Sequence, residues 1–277
     1  MKFEKGVSNM ATTLAERMSK FSGSPTSALI AKVAELKQQG KDIISLNVGE
    51  PDFGTPDYIK VAGMKAIADN FTKYTPGNGI LELRQEIVKK LKQDNGIEYG
   101  LNEITTSVGA KQAIASAMMV IAGPGDEVIL PIPCWVSYTE MIRLAGATPV
   151  FVPVRPDNYE LDLKAIEDAI TPRTKAIIIC TPNNPTGAVY SEESLRKLAE
   201  LAVKHDFFIV ADEIYEKLVY DGAKHFSVAS ISQEVKERTV TVNGFSKAYA
   251  MTGWRIGYAA ARPDVIKGIM AVQSQTT

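Results

Sequence analysis

Apolar residues recur in two rhythms along this chain. In some stretches they return every three or four positions with charged residues between them, the spacing of one face of a helix. In others they run together in short β-branched blocks, the pattern of a strand covered on both faces. The helical rhythm predicts helices over Ala28 to Gln39, stopped by Gly40, then Asp57 to Asn70, Leu81 to Gln93, Lys111 to Ile121 and Ser191 to His205. Ser191 and Ser194 compete to cap the last of these. A further helix starts at Asp264 and is still running near the last residue. The strand rhythm covers Asp42 to Val48, Ile104 to Val108, Glu127 to Leu130, Thr148 to Val154, Lys175 to Cys180, Phe207 to Ala211, Arg238 to Val242 and Arg255 to Ala260. Between them, Gly49 to Gly54, Tyr74 to Gly79, Gly123-Pro124-Gly125 and Thr181 to Gly187 carry the Gly, Pro and Asn of turns and loops. Strands alternating with helices predict an α/β fold, a mainly parallel sheet sandwiched by helices.

In such sheets ligands bind outside the carboxyl ends of the strands, so polar groups just after a strand are the ones to weigh. Gly109-Ala110-Lys111 leaves a strand and opens a helix, where free backbone N–H groups favour an anion. A glycine at a strand-to-helix turn is also common for purely structural reasons. Asp212 ends an apolar strand, with Tyr215 three residues on, and a buried carboxylate there needs a partner or serves as a cap. Lys247 ends another apolar strand; a lone lysine is ordinarily a surface group, but one entering a partly buried site is a candidate Schiff-base amine. Arg255 lies in a glycine-flanked strand, and Asn184 in a proline-bracketed loop. With Trp135 as an aromatic plate, these groups form an ordered set along one sheet. They match what pyridoxal phosphate requires: N–H donors and an arginine for its phosphate, an aromatic face for its ring, a carboxylate for its ring nitrogen and a lysine for its aldehyde.

Composition narrows the field without changing that reading. Hydrophobic residues make up 45% and charged residues 23%, enough for a sizeable core, which excludes a disordered chain or a disulfide-stapled miniprotein. Thirty-one basic residues against thirty-two acidic ones leave a net charge of -1, so no global field favours nucleic acid or a membrane surface. Cys134 and Cys180 stand apart and read as reduced thiols, and His205 and His225 are the only histidines, which makes a multi-histidine metal site improbable. With no long apolar run and no signal-peptide pattern, the working location is the cytoplasm.

The run from Gly244 to Gly257, GFSKAYAMTGWRIG, resembles the pyridoxal-phosphate attachment signature of class I aminotransferases at every constrained position. Asn47 to Phe53 (NVGEPDF), Tyr74 to Arg84 (YTPGNGILELR), Ser107 to Ile114 (SVGAKQAI), Pro182 to Gly187 (PNNPTG) and Ala211 to Tyr215 (ADEIY) extend the resemblance over nearly the whole chain. It is most similar to the bacterial aspartate aminotransferase branch, which also holds prephenate-using members. The resemblance implies the large domain of a fold type I pyridoxal-phosphate enzyme with a partial small domain. It makes Lys247 the residue that forms the aldimine with the cofactor and shuttles the α-proton, and Asp212 the partner of the ring nitrogen. Tyr215 and Asn184 would bond the ring's 3-oxygen, and Trp135 would stack on the ring. The turn Gly109-Ala110-Lys111, with Arg255 and Ser246, would hold the phosphate, and Tyr74 would reach the phosphate of a neighbouring subunit in a homodimer. Gly49, Trp135 and Asn184 would lie beside the substrate, and Ser24, Thr26 and Lys111 near the distal carboxylate of an acidic donor.

The resemblance divides the chain into an N-terminal arm and small-domain segment, 1–47, and a large cofactor-binding domain, 48–277, truncated before the C-terminal small domain. The family's arginine for the substrate α-carboxylate falls beyond Thr277, so no residue here takes its role. The function implied is ping-pong transamination between an amino acid, aspartate or glutamate first, and a 2-oxo acid. The alternatives are a carbon-sulfur lyase or decarboxylase of the same fold, or a non-catalytic fragment that binds the cofactor.

Overall fold

A computed structural model describes residues 15, 18–19, 22–23, 25–46 and 48–277. Ser24 and Asn47 therefore lie outside the described residues. Helices α1 (Pro25–Gln38), α2 (Asp57–Ala68) and α3 (Leu81–Asn95) precede the first strand. The chain then runs β1 (Ile104–Ser107), α4 (Gly109–Ile121), β2 (Glu127–Ile132), α5 (Ser137–Leu144), β3 (Thr148–Pro153), α6 (Leu163–Asp168) and β4 (Thr174–Cys180). It continues with α7 (Glu192–His205), β5 (Phe208–Asp212), α8 (Gln233–Arg238), β6 (Thr239–Gly244), β7 (Gly257–Ala260) and α9 (Pro263–Gln273).

The strands form one seven-stranded sheet in the order β1-β7-β6-β5-β4-β2-β3. From β3 across to β6 all pairings are parallel, whereas β7 runs antiparallel to both β6 and β1. The strand alternation sorts side chains to two faces. Val128, Leu130, Ile178 and Val210 face a core shared with α4, α5 and α9. Ile129, Ile177, Ile179 and Ile209 face the opposite core, shared with α6, α7 and α8. A third cluster seats Ile87 and Leu91 of α3 on Ile104, Tyr258 and Ala260. Each large buried aliphatic contributes roughly 2 kcal/mol. An exposed pair such as Lys164–Asp168 contributes about 0–1 kcal/mol. The two sheet faces, rather than the charged helix surfaces, therefore hold the molecule together. No helix among the described residues is long and apolar enough to cross a membrane.

The predicted elements appear with three differences. The 42–48 stretch forms no strand: its described residues pair with none of the seven strands, and Ile44 and Leu46 are 87% and 90% exposed. Alternation marks a segment that can pair, but a strand exists only where a neighbour supplies the ladder. Arg255 lies outside β7, in a left-handed conformation at φ 58° just before it. Helices α5, α6 and α8 were not predicted, because six to eight residues are too few to display a period. The cap competition resolves to Ser191, whose Oγ accepts from Ser194 N at 3.2 Å.

Candidate functional site

Strands β2, β4, β5 and β6 end on the same edge of the sheet because they are parallel. β7 enters from that edge because it is reversed, so Arg255 reaches the same place from the N-terminal side of its strand. Arg255, expected inside its strand, thus stands at the strand's entrance. A cleft of about 460 Å³ opens there, lined by Thr26, Gly49, Ala110, Lys111, Trp135, Asn184, Asp212, Tyr215, Lys247 and Arg255, with Tyr138 and Cys134 added.

One end of the cleft is a cationic cradle. Gly109 starts α4 at φ 75°, a conformation that strains any residue with a Cβ, and Ser107 Oγ donates to its carbonyl at 3.0 Å. A Cβ at Gly109 would collide with the Arg255 guanidinium, and a Cβ at Gly257 with the Gly109–Ala110 backbone. The two glycines thus clear the space in which the helix N-terminus and the guanidinium approach one another. Arg255 Nη1 donates to Thr252 O at 2.9 Å, which ties one arm of the fork to its own loop. Lys111 adds a second cation, and its ammonium is held below the usual lysine range by partial burial and then by repulsion from Arg255. Two cations beside the first turn of a helix form an anion site.

The other end is built on β5. Asp212, its last residue, is 3% exposed. Tyr138 Oη donates to its Oδ2 at 2.6 Å and Ile214 N to its Oδ1 at 3.2 Å. Burial nevertheless pushes the carboxyl up to about 6, against the opposing pull of these two hydrogen bonds. Asp212 is the only carboxylate among the described residues lining this cleft. Trp135 packs edge-on against Tyr138, 5.3 Å between ring centres at 88°, and Lys111 Nζ sits 4.8 Å from the Trp135 ring centre. Asn184 Nδ2 donates to Tyr215 Oη at 3.1 Å, so the phenol proton remains available to a further acceptor.

Lys247 lies between the two ends. It is half-buried, its Nζ is 5.7 Å from the Tyr215 ring centre, and it donates to the carbonyl of Gly49. Burial lowers its proton affinity, Glu50 and Asp212 raise it, and Arg255 lowers it again; the net direction is down. The arrangement is an amine of reduced basicity, an anion cradle on one side and a buried acid on the other.

Three predicted residues stand outside this lining. Gly109 lies behind the cradle, Ser246 is buried in the turn leading to Lys247, and Tyr74 is fully exposed on the surface. Ser24 cannot be placed, being outside the described residues. Tyr138 was missed. Tyr138 sits in the first turn of α5 and its N donates to Trp135 O at 3.1 Å, just ahead of the helix, but the helix itself was too short to read.

The sequence from 41 to 277 matches the family described as aminotransferase class I and II. The chain is 48% identical over 269 residues to an aspartate aminotransferase of Bacillus sp. strain YM-2, across 97% of this chain and 69% of that protein. It is 49% identical over 265 residues to a probable aspartate/prephenate aminotransferase of Thermus aquaticus, across 95% and 68%. Among solved structures it superposes with a TM-score of 0.92 on an aspartate aminotransferase from Thermus thermophilus with maleate, at 47% identity over 96% of this chain and 69% of that one.

Proposed function

The chain belongs to the class I and II aminotransferase family, and from that premise we propose that it transfers the amino group of aspartate or glutamate to a 2-oxo acid with pyridoxal phosphate held in the cleft. The observation that carries this reading is the alignment of cradle, lysine and buried acid along one cleft. Each part fits the cofactor. The space that the missing Cβ atoms of Gly109 and Gly257 leave beside Arg255 suits a phosphate. A carboxyl pushed up to about 6 by burial gains its missing counter-charge from a protonated ring nitrogen.

In this reading Arg255, Lys111 and the first N–H groups of α4 hold the phosphate, with Ser246 supporting the turn. Trp135 covers one ring face. Asp212, steadied by Tyr138, holds a proton at the ring nitrogen, and Tyr215 with Asn184 bonds the 3-oxygen. Pyridoxal phosphate, when bound, supplies an aldehyde for the lysine and a ring that accepts charge from a breaking bond at the substrate's α-carbon. Lys247 carries the cofactor in the resting protein and takes the α-proton of the bound amino acid, a task suited to an amine of lowered basicity. Thr26, Gly49 and Lys111 line the substrate end. The Thermus thermophilus relative is described with maleate, a dicarboxylate, which supports an acidic donor here.

The same reading makes the protein a cytoplasmic homodimer in which Tyr74 serves the partner's phosphate, and keeps 48–277 as the cofactor domain. Mixing the protein with pyridoxal phosphate and then aspartate or glutamate should convert the bound cofactor to its amine form and release a 2-oxo acid. Lys247→Ala should lose at least about a thousandfold in rate. Release of pyruvate plus ammonia would instead mark a lyase, and a bound cofactor indifferent to every amino acid would mark a binding module.

A further inference from the structure

A buried polar knot that the reaction does not touch lies behind the cleft. Asp212 shares the face of Val210, towards α5, and the next residue, Glu213, turns to the other side of the sheet with a side chain only 1% exposed. A carboxylate that deep needs several donors. Glu213 Oε2 accepts from Ser227 Oγ at 2.8 Å and from Asn95 Nδ2 at 3.2 Å, and lies 3.3 Å from His225 Nε2. Ser227 has given its proton to Glu213, so its 3.3 Å contact with His225 Nε2 places the N–H on that ring nitrogen. Asn95 Nδ2 also donates to Glu216 Oε2 at 2.8 Å, and Lys90 pairs with Glu216. Glu213, Glu216 and His225 bring three ligand-type atoms within 4.8 Å of one another. The Asn95 amide nitrogen shares its two hydrogens among both carboxylates and Ser227 Oγ, 2.7 Å away, so protein donors rather than a cation fill the space between the acids.

The knot joins three separate segments: the end of α3, the turn after β5, and the 225–227 stretch. That turn carries both Asp212 and Tyr215. Its backbone is tied at the same residue, since Glu213 N donates to Val242 O at 2.8 Å and Glu213 O accepts from Glu216 N at 3.0 Å. Whatever fixes Glu213 therefore fixes the direction in which Asp212 and Tyr215 enter the cleft.

We propose that Glu213 is a positioning residue for the ring side of the site: it anchors the 212–216 turn from the opposite face of the sheet and sets a second negative charge behind Asp212, which favours a protonated ring nitrogen. The inference rests on the assignment of Asp212 to that nitrogen. Glu213 is among the groups that raise the proton affinity of Asp212, consistent with a charge felt through the turn. None of its neighbours His225, Lys90 and Glu216 lines the cleft.

The test compares Glu213→Gln, which keeps the reach and removes the charge, with Glu213→Asp, which keeps the charge. Each is loaded with pyridoxal phosphate and titrated by absorbance, with cofactor dissociation and melting measured in parallel. Glu213→Gln should lower the pH midpoint of the bound cofactor's absorbance change and weaken cofactor binding about tenfold, the equivalent of one pH unit of charge stabilisation. Glu213→Asp should restore the midpoint. Wild-type midpoint and binding in Glu213→Gln would overturn the proposal, as would a melting temperature that falls while both stay unchanged. Should Glu213→Gln fail to fold, Ser227→Ala removes the 2.8 Å anchor and leaves the charge. Weaker cofactor binding at an unchanged midpoint is expected there, and wild-type binding would overturn the proposal. A wild-type protein that forms no lysine-dependent absorbance band would instead sink the cofactor reading beneath it.

Discussion

At the scale of single residues, Asp212 shows how a functional group costs stability. Its carboxyl rises from the usual 3.8 to about 6 because burial removes water that two hydrogen bonds only partly replace. The folded chain then binds this proton more tightly than the unfolded chain does. In the cofactor-free protein, Asp212's contribution is intact below 3.8 and is lost as pH climbs through about 6. The loss is on the order of 3 kcal/mol. Asp212→Asn should therefore stabilise the cofactor-free protein at neutral pH, flatten its stability across that window in denaturant titrations, and abolish transamination. Tyr138→Phe should act in the opposite sense, because the 2.6 Å bond it removes holds the Asp212 carboxyl down. That variant should show a steeper loss of stability with rising pH. Asp212 and Lys247 could be read from the sequence because a charged group at the end of an apolar block is costly and so conspicuous, and Arg255 because a guanidinium in a glycine-flanked strand needs an anion. Tyr138 could not, since an aromatic residue near other apolar residues looks like ordinary core.

Among the elements, the close crossing of α4 and β7 sets the shape of the anion cradle. Gly257→Ala should force the Gly109–Ala110 backbone away and cost about 1–3 kcal/mol. It should also weaken pyridoxal phosphate binding measured by equilibrium dialysis. Ser191→Ala is the contrasting case: it removes the cap of α7, far from the cleft, and should cost about 1 kcal/mol in thermal unfolding with cofactor binding unchanged. The sequence revealed the long helices and the buried strands because their periods repeat enough times to be counted. It misled over 42–48, where Ile44 and Leu46 alternate correctly yet find no strand beside them. It also placed Arg255 inside a strand, since nothing local distinguishes a β-branched neighbour in a ladder from a left-handed residue at its entrance.

Across the whole molecule, one surface is conspicuously apolar. No residue of α2 is buried, and Tyr58, Val61, Met64 and Ile67 are 57% to 71% exposed. Trp254, whose Nε1 donates to Thr55 Oγ1 at 3.1 Å, comes close to the helix at Gly63. A face of this kind matches the homodimer of the proposed reading. Sedimentation should give a dimer, and Val61→Asp with Ile67→Asp should shift it to monomer. Mixing Tyr74→Ala with Lys247→Ala subunits should regain cofactor retention that neither has alone, because one site of each mixed dimer then has both residues. The reversed strand also governs when the cleft comes into being. Ile104 pairs with Ala260, and Ser107 with Gly257, so β1 finds its partner only after β7 has been synthesised. The parallel block from β2 to β6 has nearer neighbours to assemble with. Distant pairings close late because loop entropy must be overcome first. In refolding followed by pulsed hydrogen exchange, amides of β4 and β5 should gain protection before those of β1 and β7, and competence to bind the cofactor should arrive with the slower phase.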